Sequence, residues 1–240
     1  MSTSTAKTPT DVHNVRFPNE SDAYRAARNA LLDEEIELRR QVEHVTAQRR
    51  SLPLGGKVLD DYLFEEGGTS LDDSKTAKPI VMSAVFGDKP TLVAYSFMFG
   101  PKMANPCPMC TSLLDALNGN AGQIKQRASL VVIAKSPLAR IREFARQRGW
   151  SKLRLLSSAG NSYNQDYAGE TAGGAQMPSL NVFVRRDLDV YHFYNTEMLF
   201  GPKDAGQDHR HVDMIWPLWN IFDFTPDGRG SDWYPKLSYG

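Results

Sequence analysis

Apolar positions along this chain fall into blocks whose period switches between helical and strand-like. From Ser21 to about Arg50 a highly charged segment carries Leu31, Leu32, Ile36, Leu38, Val42 and Val45 at close to helical spacing. That predicts one long helix, capped by Ser21 or Asn19, with Asp22 in its first turn and Pro53 and Gly55-Gly56 at its end. A helix this charged needs a partner surface, on the domain, on a second subunit, or on both. Residues 57–66 read as a strand, a polar turn region runs to Lys78, and Ile80 to Phe86 is short and apolar. Thr91 to Phe99 is nearly continuous in apolar, β-branched and aromatic residues, as a central strand buried on both faces should be, and Gly100-Pro101 breaks it. Thr111 to Asn118 returns to helical spacing with Leu113, Leu114 and Leu117, and Gly119 is the expected stop.

The alternation continues. Leu130 to Ala134 predicts a second buried strand, Pro137 to Arg148 a helix closed by Gly149, and Leu153 to Ser158 a further strand. Residues 160–176 form a long Gly-, Asn- and Tyr-rich loop, a length that often marks function. Ser179–Arg186 and Val190–Asn195 read as a hairpin turning at Asp187-Leu188, and Val212 to Phe222 as a partly helical segment interrupted or started by Pro217. The order implies an α/β fold with a mixed central sheet. Its expected divisions are a flexible arm at 1–20, the N-terminal helix at 21–54, a single domain at 55–225 and a tail at 226–240.

Composition narrows the classes. There are 28 basic and 28 acidic residues, which gives no reason to expect nucleic acid or a polybasic membrane anchor. Met1 to Val15 is polar without an apolar core, and no run of about 18 apolar residues exists. A soluble, cytoplasmic protein is the expectation.

Cys107 and Cys110 are the only cysteines in 240 residues, and they form one Cys107-Pro108-Met109-Cys110 motif. Residues three apart share one side of a helical turn, so the two sulfurs suit an exchangeable disulfide or half a metal site. Exchange needs a thiolate, and a helix N-terminus favours that anion. Cys107, preceding the helix, is the expected nucleophile; Cys110, one turn in, is the resolving partner. Pro108 suits the first helical position. A structural zinc would have to borrow ligands such as His209 and His211, and the redox reading is preferred, with no metal and no other cofactor. Tyr95, Phe97 and Phe99 alternate on the preceding strand as core residues. Lys102 is a weaker candidate to support a thiolate. Tyr163 and Tyr167 either line a cleft or pack the long loop, Arg140 and Arg142 belong to a solvated helix face, and His192, His209 and His211 to ordinary polar surface or satisfied packing.

The stretch from Val93 to Asn118 (VAYSFMFGPKMANPCPMCTSLLDALN) resembles the DUF899 family, thioredoxin-like proteins of uncertain function. Ala134-Lys135-Ser136-Pro137-Leu138, Arg148-Gly149-Trp150, the strand led by Pro178 and Asp223-Phe224-Thr225-Pro226-Asp227-Gly228-Arg229-Gly230 carry the resemblance over most of the chain. It implies a thioredoxin-like fold with Cys107 and Cys110 at the redox position. It also favours a cis Pro178 beside the motif, where backbone can pair with an extended substrate, over the alternative of a plain trans proline opening the strand; X–Pro is the bond for which cis is cheap. Pro108, Met109, Met177 and Pro178 are then the expected substrate-binding residues. The tryptophan that precedes CxxC in thioredoxins is Pro106 here, and the Thr or Ser three residues before a peroxiredoxin nucleophile is Ala104. The expected function is thiol–disulfide oxidoreductase, with thiol peroxidase or a redox-inert binding or dimerisation module as alternatives. The expected partners are a disulfide-bearing or peroxide substrate, a thiol electron donor, and a second copy through the N-terminal helix.

Overall fold

A computed structural model describes residues 13–73, 76–205, 214–230 and 233–239. The chain divides into two compact units, Met1–Pro53 and Leu54–Gly240. The first is dominated by helix α1 (Asp22–Arg50), whose cap is Ser21: its side chain accepts the Tyr24 N–H at 3.1 Å. Arg25 is buried and pairs with Glu20. Leu31 and Leu38 are exposed on this helix.

The second unit is built on a seven-stranded mixed sheet. In chain order its elements are β1 (Leu63–Gly67), β2 (Ala77–Val81), α2 (Met82–Val85), β3 (Thr91–Ser96), α3 (Pro108–Ile124) and β4 (Ser129–Ala134). They continue with α4 (Leu138–Arg148), β5 (Leu155–Ser157), α5 (Tyr163–Asp166), β6 (Ser179–Arg186), β7 (Asp189–Asn195) and α6 (Pro217–Phe222). The strands lie in the order β2-β1-β5-β4-β3-β6-β7. β3 pairs parallel with β4, and β4 parallel with β5. On its other side β3 pairs antiparallel with β6, which turns back into β7. A strand, a helix headed by CxxC, a parallel strand and an antiparallel hairpin docked beside the first strand make a thioredoxin-like fold, extended by β1, β2 and β5.

The continuous apolar strands follow from burial on both faces. In β4, Leu130, Val132 and Ala134 join one core with Tyr95, Phe97, α3 and α4; Val131 and Ile133 join the other with Leu92, Ala94, Phe64 and Phe183. Helix α4 ends where Gly149 adopts a left-handed φ of 70°, as a residue without Cβ does cheaply.

Two expectations need correction, the strand at 57–66 and the stop at Gly119. The strand proposed at 57–66 begins only at Leu63, with Lys57 making an isolated bridge to Tyr191. Ile80–Phe86 divides between the end of β2 and the short α2. Gly119 does not stop α3, which runs to Ile124. Gly119 is exposed with open space around it, and beyond it Ala121 is fully buried in the core while Ile124 packs against it, so tertiary packing carries the helix past a residue of low helix propensity. Of Val212–Phe222, residues 212 and 213 lie outside the described residues and Pro217 starts α6, in the first-turn position where its missing N–H costs nothing.

Candidate active site

The site stands beyond the C-terminal end of β3, where open parallel sheets place their chemistry. After β3 the chain crosses the Phe99–Gly100 turn, which is tied to the loop after β4: Ser136 N–H donates to the Phe99 carbonyl at 3.0 Å and its hydroxyl to the Gly100 carbonyl at 3.1 Å. Arg140 clamps the segment leading to the motif, donating to the carbonyls of Met103 (2.6 Å) and Ala104 (3.1 Å), with its guanidinium 4.4 Å from the Phe99 ring centre. It is therefore not a solvated helix residue. Neither is Arg142, which is buried and donates to the carbonyls of Gly68 (2.9 Å), Ser70 and Asp73 (3.1 Å). The helical period placed both on α4, but bonds to loops distant in sequence hold them, Arg142 buried and Arg140 half-buried.

Cys107 is the N-cap of α3, and its N–H donates to the Met98 carbonyl at 3.0 Å. Pro108 opens the helix, and the first intrahelical bond is Thr111 N–H to the Cys107 carbonyl at 3.0 Å. The amides of Met109 and Cys110 lie before it, so the positive end of the 17-residue helix faces the cysteines. The two cysteines form no disulfide with each other. Cys107 is 8% exposed and Cys110 0%. Burial pushes the Cys110 thiol well up, and the neighbouring Cys107 adds to this; the Tyr95 hydroxyl and the Met98 backbone act in the opposite direction. Tyr95 thus packs in the core, as expected, and also reaches a sulfur.

The other candidates separate. Pro108 is half-buried at the head of α3, and Met177 is half-buried. Met109, at 1% exposed, is a core residue, because the second helical position turns its side chain inward beneath the motif. Pro178 is buried, and the Met177–Pro178 bond is trans; no cis peptide bond occurs among the described residues. Extended backbone before a proline enters β6 directly, where Ser179 pairs with Ser96. The segment is nonetheless near the motif turn: a Cβ on Gly100 would come within 2.8 Å of the Gln176 side chain. Lys102 is exposed in the turn. Tyr163 is fully buried against Tyr62, Phe64 and Tyr167, so it packs the loop. Tyr167 and His192 share a cavity of about 380 Å³ with Lys57, Asn181, Asn195 and Glu197. His192 is half-buried, the packing alternative of the two expected; its Nε2 lies 3.0 Å from Asn181 Oδ1, and burial lowers its pKa. His209 and His211 lie outside the described residues, and among the described residues no group of three or more His, Cys, Asp or Glu is placed to hold a metal ion.

Sequence reasoning missed what closes the site. Residues 226–240, set apart as a tail, include a stretch that returns to it. Trp233 stacks edge-on against Trp219 and Phe222 of α6, at centroid distances of 5.9 and 5.2 Å. The hydroxyl of Tyr234 lies 3.9 Å from Cys107 Sγ. Arg148 donates to the Leu237 carbonyl at 2.9 Å, and the Tyr239 hydroxyl donates to Asp115 Oδ2 at 3.0 Å. The density of Trp and Tyr in the last residues was the available signal.

The chain matches DUF899, described as a bacterial protein of unknown function, over residues 14–239, and it belongs to that family. A search of curated proteins finds no match. Among solved structures, reduced 2-Cys peroxiredoxin of Plasmodium vivax is similar at 14% identity over 59% of this chain and 83% of its own, with a TM-score of 0.43. AhpC of Mycobacterium bovis is similar at 16% identity over 71% and 98% (TM-score 0.42). The exposed lipoprotein thioredoxin Etrx1 of Streptococcus pneumoniae is similar at 10% over 62% and 93% (TM-score 0.37). At this level the likeness says nothing of substrate.

Proposed function

For this member of the DUF899 family we propose thiol–disulfide oxidoreductase activity, with Cys107 as nucleophile and Cys110 as resolving cysteine. One observation carries the reading: the two thiols sit one turn apart at the head of α3, the outer one at its N-cap and the inner one fully buried. The helix end favours a thiolate at Cys107, and burial keeps Cys110 protonated until it is needed.

The Cys107 thiolate attacks one sulfur of a substrate disulfide. The S–S bond breaks, a mixed disulfide forms on Cys107, and the first substrate sulfur leaves as a thiolate that takes up a proton. Cys110 then gives up its proton and attacks Cys107 Sγ, so that the second substrate thiol leaves and the Cys107–Cys110 disulfide closes. The substrate gains two electrons and the pair loses two, which a thiol donor must return. Pro108, Met177 and Pro178 are the proposed contacts for substrate backbone. The exposed Leu31 and Leu38 support the expectation that α1 meets a second chain.

Turnover of a small aromatic disulfide by the wild-type chain, absent in Cys107→Ser, is the expected result; a double-serine variant with full activity ends the proposal. The low exposure of Cys107 favours one alternative, a small hydroperoxide. Its O–O bond would break on attack by the thiolate, giving a sulfenic acid and an alcohol, and Cys110 would then condense with loss of water. A sulfenic-acid probe on Cys110→Ser after peroxide treatment distinguishes the two.

A further inference from the structure

The chain's last described segment brings a single polar atom to the reactive sulfur. Trp233 is anchored on α6 by two aromatic contacts, and residues 237–239 are anchored on Arg148 and Asp115. Asp115 belongs to α3, the same helix that Cys107 caps, so the anchor and the sulfur share one rigid element. Between the two anchors lies Tyr234, with its hydroxyl 3.9 Å from Cys107 Sγ. The geometry points to Tyr234 as a positioning residue for Cys107, its phenol O–H donating a hydrogen bond to the attacking sulfur.

This rests on Cys107 being the attacking thiol. A phenol ordinarily keeps its proton to about pH 10 and a thiol to about 8.5, so when such a pair first ionises the phenol is the donor. A hydrogen bond to a thiolate is charge-assisted and favours the anion over the thiol. It also holds the sulfur in one rotamer. The helix end acts on the same sulfur through its dipole, and the tail adds a directed donor, since the Cys107 side chain makes no capping hydrogen bond to the first turn of α3.

The test removes one oxygen from the full chain. In a Cys110→Ser background Cys107 is the one remaining thiol, and its alkylation by iodoacetamide is followed from about pH 5 to about pH 10 with and without Tyr234→Phe. Tyr234 is 42% exposed, and Phe keeps the ring and the tail path. We expect the profile to move to higher pH and the rate at neutral pH to fall about tenfold, the size of one charge-assisted hydrogen bond. Superimposed profiles overturn the proposal. Tyr239→Phe is the companion variant, because it loosens the anchor at Asp115 without removing the group at the sulfur; a shift as large as that of Tyr234→Phe assigns the effect to tail packing and also overturns it. Alkylation needs no substrate disulfide. A shifted profile in a protein that reduces no disulfide therefore upholds Tyr234 and refutes the oxidoreductase reading instead.

Discussion

The amide N–H of Cys107 donates to the carbonyl of Met98 at 3.0 Å. This bond ties the first cysteine of the CxxC motif to the backbone just past β3, so the central strand sets where α3 begins. Cys107 therefore stands at the helix N-cap, with Cys110 one turn deeper beside Tyr95. The two cysteines differ in burial, and under the proposed function that difference orders their chemistry.

Trapping follows from that order. With Cys110→Ser, a disulfide substrate added to the reduced protein should leave a stable mixed disulfide on Cys107, seen as a mass increase of one substrate half. Its removal by excess dithiol confirms the linkage. A chain whose mass is unchanged under oxidising substrate contradicts the assigned roles.

Alkylation of the wild-type chain should be unequal. Cys110 is fully buried and its thiol is pushed well up, so at neutral pH it holds less thiolate than an ordinary cysteine and is shielded from reagent. Peptide mapping after brief iodoacetamide treatment should show Cys107 labelled at least about tenfold faster. Equal labelling in the folded protein would place the sulfurs in equivalent surroundings and defeat this expectation.

Asp115 holds three groups together. Its carboxylate accepts the Trp150 indole N–H at 2.7 Å and the Tyr239 hydroxyl at 3.0 Å, and it pairs with Arg148. Asp115→Ala strands a donor on a buried tryptophan and the charge of Arg148, and should lower unfolding stability by about 1–3 kcal/mol. Urea denaturation measures it. Near-wild-type stability would mean water replaces the carboxylate.

His192 predicts a pH dependence with a definite sign. Burial lowers its folded pKa from the ordinary 6.5, so the unfolded chain takes up the proton first. The stability contribution is full above pH 6.5 and is lost as pH falls through the lower folded value. His192→Gln should flatten this part of the urea-midpoint profile between about pH 7.5 and about pH 5. An unchanged slope would assign the dependence to other groups.

Much of this was legible in the linear chain because the signals are local. The Ser21 cap, the two-sided apolar runs of β3 and β4, and the Asp187-Leu188 hairpin turn depend on neighbours a few residues away, and each reappears in the structure. Cys107 and Cys110 likewise stand one turn apart, at the N-cap and in the first turn of α3. Gly119 misled because its local cost is small beside the core contacts of Ala121 and Ile124. Arg140 and Arg142 misled because helical spacing shows a face but not the loop carbonyls that fold over it.

By itself, then, the sequence determined the strand–CxxC–helix order, the α/β class and that the chain's two sulfurs stand one turn apart, since these follow from period, turn chemistry and spacing. Only tertiary structure decided that Cys110 is sealed beside Tyr95, that the Met177–Pro178 bond is trans, and that Tyr234 comes to lie over Cys107 from 127 residues away. The reason is physical: burial and directed hydrogen bonds between residues far apart in sequence arise from how distant elements pack, and no local pattern in the chain encodes that distance.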